Sequence, residues 1–281
     1  MIYYGLVCSL EPVAPDKPVI FQGPLERYGN KIRDIGYDGI ELHLRNPRQY
    51  DAQVLKRTAD DFSLAICALS TGLEYGLNGL SLISDDPSIR KAAVIRLREH
   101  IDLAADLHCM VVIGTMRDRI PDMTRCAEYE GYHTDALLNL VEYARRQDVF
   151  LVVESITRYI SNYLNTVPET AAYLRGLSHP NLRLHIDTHS MNIEDPDFKA
   201  AILASADELA YVHFSDSNRR FPGAGSIDFK PIVKSLTDIG YDGYVTSECL
   251  PWPDAESAAR LGFEYMKALE TCVRVESFRH M

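Results

Sequence analysis

Eight short apolar segments recur along the chain, and each is followed by a stretch with helical character. Each segment is rich in Val, Ile and Leu, which is typical of parallel strands buried on both faces. The segments cover residues 4–8, 39–44, 65–70, 110–115, 149–154, 182–187, 209–214 and 243–248. Strand–helix units that follow one another without a linker or a break in composition predict an α/β fold. We expect a single (β/α)8 TIM barrel that forms one catalytic domain over residues 1–281.

Helical periodicity between these segments supports this interpretation. Within 88–107, apolar residues return every three or four positions, which places them on one face of a helix. Thr166-Val-Pro-Glu169 has the pattern of a capping box with Pro in the first turn, so a helix should begin there. A last helix is expected at about 255–272.

The charge balance argues against nucleic acid as a partner. The chain has 29 Lys and Arg against 40 Asp and Glu, a formal net charge of −11, whereas a phosphate backbone favours a basic face. No apolar run approaches the ~20 residues that a helix needs to cross a bilayer, so we expect no membrane partner. The six cysteines form no C-x-x-C pair, and the first residues do not have the regions of a signal peptide. We therefore expect reduced thiols and a cytoplasmic protein.

Four of the predicted strands end in residues that bind divalent cations. Glu154, Asp187, His213 and Glu248 lie at the ends of the fifth to eighth segments. Because the carboxyl ends of the strands meet at one mouth of a parallel barrel, we expect these side chains to converge. Three carboxylates and one imidazole suit Mn²⁺, Mg²⁺ or Co²⁺ better than a thiolate-type zinc site. Crowded carboxylates also repel one another, and a bound cation would offset that repulsion.

Further motifs surround these four residues. They are Arg158-Tyr159, Asn165-Thr166, Met191-Asn192-Ile193-Glu194, and Arg219 followed by Pro222-Gly223 and Gly225. Taken together with the strand ends, they resemble the xylose isomerase-like sugar epimerases, and most closely the branch of D-tagatose 3-epimerase and keto-sugar epimerases. The resemblance spans the barrel, with its specific motifs in 154–248.

The resemblance implies a metal-dependent isomerase or epimerase of a keto-sugar or keto-sugar derivative. One divalent ion, with Mn²⁺ favoured over Mg²⁺, Co²⁺ and Zn²⁺, would be bound by Glu154, Asp187, His213 and Glu248. Glu154 and Glu248 would be catalytic, exchanging the proton on the carbon next to the carbonyl through an enediolate. That chemistry is physically reasonable, because a metal stabilises the charge where it develops and a carboxylate oxygen acts as the base.

Several neighbouring residues are candidates for binding the substrate. Arg219 matches the substrate-binding Arg of the family, and Arg158 lies in its first motif. The family has His three residues after the metal-binding Asp, where this chain has Ser190, with His189 one position earlier. Trp252, the single Trp, is placed to stack on a sugar face. His185 should lie one layer below Asp187, where it could orient a metal ligand by contacting it from behind without binding the metal itself.

This chain also differs from the family at Thr157 and Ile160, where the family has Asn and Glu. These differences leave the identity of the sugar open. A lyase or dehydratase on a keto-polyol or keto-glycoside would use the same enediolate. The Pro222–Gly225 loop leaves a phosphorylated substrate open. More remote alternatives are an endonuclease IV-like nuclease, which the charge opposes, and a binding protein without catalysis. The partner is expected to be a small carbohydrate, and the family implies a homodimer or homotetramer.

Overall fold

The computed structural model describes residues 2–279, with side chains as far as residue 276. It contains nine parallel strands that form one continuous sheet. They are β1 (Tyr3–Ser9), β2 (Phe21–Gln22), β3 (Gly39–His43), β4 (Ala65–Ser70), β5 (Met110–Ile113), β6 (Leu151–Glu154), β7 (Leu182–Asp187), β8 (Leu209–Phe214) and β9 (Tyr244–Ser247). The sheet order is β2-β1-β3-β4-β5-β6-β7-β8-β9, and β1 also pairs with β9. That pairing closes the sheet, so the predicted (β/α)8 barrel is confirmed.

Helices connect the strands and cover the outside of the barrel. They are α1 (Gly29–Ile35), α2 (Ala52–Asp61), α3 (Gly72–Asn78), α4 (Pro87–Leu107), α5 (Cys126–Arg145), α6 (Val167–Leu177), α7 (Thr188–Glu194), α8 (Phe198–Ala204), α9 (Phe229–Asp238) and α10 (Ala255–Arg279). Thr166 and Glu169 form the predicted capping box at the start of α6. The helix predicted at 88–107 is α4, and the last helix is longer than the predicted 255–272.

The strand predictions differ from the structure mainly at their ends. The segment 110–115 stops at Ile113, because Thr115–Arg117 turn into a 3-10 helix after Gly114. The segment 149–154 starts two residues late, because the Val149 N–H bonds to the last turn of α5 at the Ala144 carbonyl. The short strand β2 was not predicted, since two residues carry no periodicity. Glu248 follows β9, although its N–H still bonds to the Phe214 carbonyl of β8.

The apolar core has two parts. The larger one lies between the outer face of the barrel and the helices. A smaller cluster fills the inside of the barrel and includes Cys67, Val112, Val152 and Tyr211. This inner layer is the floor on which the polar residues at the carboxyl ends of the strands lie. All six cysteines are free thiols, as expected. No helix within residues 2–279 is long and apolar enough to cross a membrane.

Candidate active site

The structure brings the four predicted metal ligands together at the carboxyl ends of the strands. Glu154 ends β6, Asp187 ends β7 opposite His213 on the paired strand β8, and Glu248 directly follows β9. Their charges affect one another. Burial, followed by the nearby carboxylates of Glu248 and Asp187, raises the pKa of Glu154 to about 8. A site that holds this much negative charge in a small space favours a cation.

His213 connects this cluster to the inside of the barrel. Its Nε2 lies 2.6 Å from Oε2 of Glu41. Its Nδ1 lies 3.3 Å from Oε2 of Glu248, but it is buried and has no partner with hydrogen-bond geometry in the described part of the chain. A buried nitrogen without a hydrogen-bond partner is costly unless something else binds it. Nδ1 of His213 therefore fits a metal ligand.

His185 lies close enough to Glu154 and His213 to bind a metal ion itself, and not only to orient a metal ligand. Ligand atoms of Glu154, His185 and His213 all lie within 4.8 Å of one another, which is close enough to hold a metal ion. Both ring nitrogens of His185 are buried without a hydrogen-bond partner among the described residues. The ring packs edge-on against His213, with 4.1 Å between the ring centroids. The donor set around Glu154 and His213 therefore fits a divalent cation, with His185 as an additional nearby nitrogen.

Arg219 lies between the other two carboxylates. Its guanidinium group donates to both Asp187 and Glu248 and lies 2.9 Å from the Ser215 hydroxyl. The residue has a positive φ of 60°, a backbone conformation that is costly for a residue with a side chain and is concentrated at functional sites. Its carbonyl accepts the N–H of Leu250, which holds the Arg219 loop against the loop after β9. The guanidinium group thus partly offsets the negative charge of the cluster.

The remaining predicted substrate contacts lie around the mouth of the barrel. Ser190 is buried, and His189 places Nδ1 3.3 Å from the carbonyl of Asp216. Arg158 is held by a bidentate ion pair with Glu194, whose carboxylate also accepts the Arg158 N–H. Trp252 is 47% exposed, and the guanidinium group of Arg220 lies 3.6 Å above its ring. Their roles in binding a substrate stay predictions.

The glycine-rich loop after β8 does not form a phosphate cradle. The backbone N–H groups of Gly223 and Ile227 donate to the two carboxylate oxygens of Asp216, at 2.9 and 3.0 Å. A Cβ on Gly225 would come within 2.3 Å of the same carboxylate, so glycine is needed for its close approach. These N–H groups are therefore not free to bind a phosphate, because the Asp216 carboxylate already accepts their hydrogen bonds. The loop gives no support to a phosphorylated substrate.

Two important residues were not singled out from the sequence. Glu41, a polar residue within the strand predicted at 39–44, contacts His213 directly. Asp216 was not considered, although it shapes the loop that carries Arg219. Only its position directly after β8 could have indicated it. A signal for Glu41 was its place on a barrel strand two residues before His43.

A closed parallel barrel with carboxylates and imidazoles at the carboxyl ends of its strands is the layout of a TIM-barrel enzyme. Comparison with known proteins identifies the family. The family profile described as xylose isomerase-like TIM barrel matches residues 30–269. The chain belongs to the xylose isomerase-like TIM barrel family.

Individual relatives give a consistent result. A ketose 3-epimerase of Arthrobacter globiformis is 34% identical over 222 residues, 78% of this chain and 75% of the relative. An L-ribulose 3-epimerase of Mesorhizobium japonicum is 34% identical over 224 residues, 78% of this chain and 73% of the relative. A solved structure of L-ribulose 3-epimerase superposes with a TM-score of 0.85 at 27% identity, covering 99% of this chain and 97% of that one. The predicted resemblance and the predicted class, an enzyme of the sugar isomerase and epimerase group, are confirmed.

Proposed function

We propose that the protein is a ketose 3-epimerase that uses one divalent metal ion, Mn²⁺ by preference. The observation that carries this proposal is the cluster of Glu154, Asp187, His213 and Glu248, in which buried Nδ1 of His213 has no hydrogen-bond partner among the described residues. The named relatives support a small keto-sugar as the substrate. A donor set of carboxylates and one imidazole suits Mn²⁺, with Mg²⁺, Co²⁺ and Zn²⁺ as competitors.

We assign the metal to Glu154, Asp187, His213 and Glu248. Asp187 and Glu248 are favoured over His185 because one cationic group, the Arg219 guanidinium, already bridges them. When bound, a divalent ion would stabilise the negative charge that develops on the substrate oxygens. His185 packs against the ring of His213 and would limit its movement.

The two glutamates are assigned the proton transfer. Glu154 and Glu248 approach the cluster from β6 and from the end of β9, with β7 and β8 between them. They therefore reach a bound sugar from different directions. One carboxylate would remove the proton from the carbon next to the carbonyl, and the other would return a proton to the opposite face, which inverts that carbon through an enediolate.

The substrate contacts are assigned to the mouth of the barrel. Arg219 lies against two of the proposed ligands, so its guanidinium group is close enough to contact a sugar oxygen there. His189, Ser190, Arg158 and Trp252 are proposed to form the wall around the sugar. Since Arg158 is held by Glu194, it would act as a fixed donor rather than a mobile one.

The wider setting also belongs to the proposal. We propose that residues 1–281 form one catalytic domain, since β1 and β9 close a single barrel. Six free thiols are consistent with a cytoplasmic location. A homodimer or homotetramer stays a prediction.

Incubation with a panel of ketoses in D₂O tests the proposal. NMR should show deuterium at carbon 3 of at least one ketose, together with the 3-epimer. Glu154→Gln and Glu248→Gln should abolish the exchange, whereas the matched change Glu264→Gln on exposed α10 should leave it intact. Elimination of a β-substituent instead of exchange would favour a lyase, and no reaction with any ketose would contradict the proposed substrate class.

A further inference from the structure

Glu41 is a fully buried carboxylate inside the barrel, with 0% of its surface exposed. Three groups surround it. Oε2 lies 2.6 Å from Nε2 of His213 and accepts the Tyr211 hydroxyl at 2.8 Å, and Oε1 lies 3.0 Å from Nε2 of His43. All three groups can donate a hydrogen bond, so the geometry is that of an ionised carboxylate, which can only accept.

The contact between Glu41 and His213 crosses the inside of the barrel. Glu41 comes from β3 and His213 from β8, and β1 and β9 lie between these strands in the closed sheet. The β3–β4 register shifts between Ile40 and Glu41. Shifts of this kind redirect side chains and are often found next to active sites. The local backbone thus aims the carboxylate at the underside of the proposed metal site.

The contact decides which nitrogen of His213 carries the proton. An ionised carboxylate accepts from Nε2, so Nε2 must be protonated. In the neutral imidazole, Nδ1 then keeps its lone pair, and Nδ1 is the buried atom that faces Glu248 and lacks a hydrogen-bond partner in the described part of the chain. Metal-binding histidines usually donate their second N–H to a carboxylate or carbonyl, which orients the ring and makes it a stronger ligand.

We propose that Glu41 is a positioning residue that fixes the tautomer and orientation of His213 so that Nδ1 binds the divalent metal. This inference rests on the proposed function, because it assumes a metal ligand at position 213. Packing alone gives no reason for a charge here. Tyr211, which donates to Glu41, belongs to the apolar inner layer together with Val112 and Val152, and an apolar side chain at position 41 would avoid the cost of burying a carboxylate.

The test compares Glu41→Gln with Tyr211→Phe. Gln keeps the shape and one acceptor oxygen but removes the charge. Phe removes one hydrogen bond to Glu41 and keeps the contact with His213. Mn²⁺ affinity is measured for each folded variant and for the wild type, with thermal unfolding as a check on structure. We expect Glu41→Gln to lose roughly 10–100-fold in affinity, as measured for outer partners of metal ligands, and Tyr211→Phe to bind nearly as the wild type does.

A second readout uses ¹⁵N-labelled histidine in the wild-type protein without metal, above the pH at which the His213 ring becomes neutral. The ¹⁵N shifts should show the proton on Nε2. A proton on Nδ1 would overturn the inference, and so would wild-type Mn²⁺ affinity in Glu41→Gln. If the wild type binds no divalent metal at all, the proposed function fails, and the role of Glu41 in metal binding fails with it. Loss in Glu41→Gln beside a metal-binding wild type supports both.

Discussion

Gly114 lies directly beside the carboxylate of Glu154. A Cβ at position 114 would stand 2.6 Å from Oε2 of Glu154, closer than two such atoms can approach. Gly114→Ala should therefore displace the proposed base. Because φ −106° and ψ −107° at this position lie outside the regions that alanine favours, thermal unfolding is measured beside activity to separate displacement of Glu154 from loss of the fold. We expect kcat/KM for the ketose to fall by roughly 10–100-fold, since a displacement near 1 Å can cost about that much.

A matched control is available on α5. Gly131 lies in the helix, and a Cβ there would meet no atom within 4 Å. Gly131→Ala should leave kcat/KM unchanged and raise the free energy of unfolding by up to about 1 kcal/mol. Wild-type activity in Gly114→Ala would show that Glu154 tolerates displacement and is not the base.

Removal of Arg219 should make stability depend on metal. Its guanidinium group lies between Asp187 and Glu248, and both carboxylates are largely buried. In Arg219→Gln, treated with a chelator, these charges have no cationic partner between them. We expect the free energy of unfolding to fall by about 3 kcal/mol, the order found when one partner of a buried ion pair is removed. Saturating Mn²⁺ should restore most of the loss, because a ligand of the folded state stabilises it.

Arg158→Gln serves as the comparison, measured by urea unfolding with and without Mn²⁺. It also removes an arginine from a buried carboxylate, Glu194, but the Arg158 side chain is 62% exposed and lies outside the proposed ligand set. Its loss of stability should be smaller and the same with and without metal. An Arg219→Gln variant whose stability does not respond to Mn²⁺ would argue against Asp187 and Glu248 as ligands.

Asp187 and His185 compete for the remaining place at the metal. The proposed set predicts that Asp187→Asn loses more Mn²⁺ affinity than His185→Gln. For His185→Gln we expect at most the roughly 10–100-fold loss typical of an outer partner. Asn at position 187 can still accept the His189 N–H that caps α7, so the fold should survive. Mn²⁺ titration followed by EPR gives both affinities. A larger loss of Mn²⁺ affinity in His185→Gln than in Asp187→Asn would instead indicate that Glu154, His185 and His213 bind the metal.

The strand ends were predictable from the sequence, and the contacts between them were not. Glu154, Asp187 and His213 each end or nearly end a run of Val, Ile and Leu, and the topology of a parallel barrel then brings them together. The ring of His213 and the carboxylate of Glu41 are separated by 172 positions in the chain. Parallel strands are apolar on both faces, so the sequence pattern does not show which residues point inward.

The loops were predicted least well, because their conformation depends on side-chain partners. The glycines after β8 suggested an anion site, yet the N–H groups of Gly223 and Ile227 donate to Asp216. Arg219 was identified only through the family resemblance. Its position between two carboxylates depends on a positive φ and on the bond from Leu250, and neither can be read from the residue types.

The contribution of Asp195 to the stability of the protein should fall as the pH rises. It is buried at the end of α7, and burial raises its pKa from 3.8 to about 6, although the Val167 N–H at the start of α6 favours the charged form. Between pH 4 and 6 the folded protein therefore binds a proton that the unfolded chain has released, so its contribution to stability is complete below pH 4 and is lost as the pH rises through 6. Asp195→Asn cannot ionise and keeps an acceptor for Val167. Urea unfolding from pH 4 to 8 should show the variant equal to the wild type at pH 4 and more stable above pH 6, by up to about 3 kcal/mol. A difference that does not change with pH would mean that the carboxylate is charged in the folded protein and stabilised there by the start of α6.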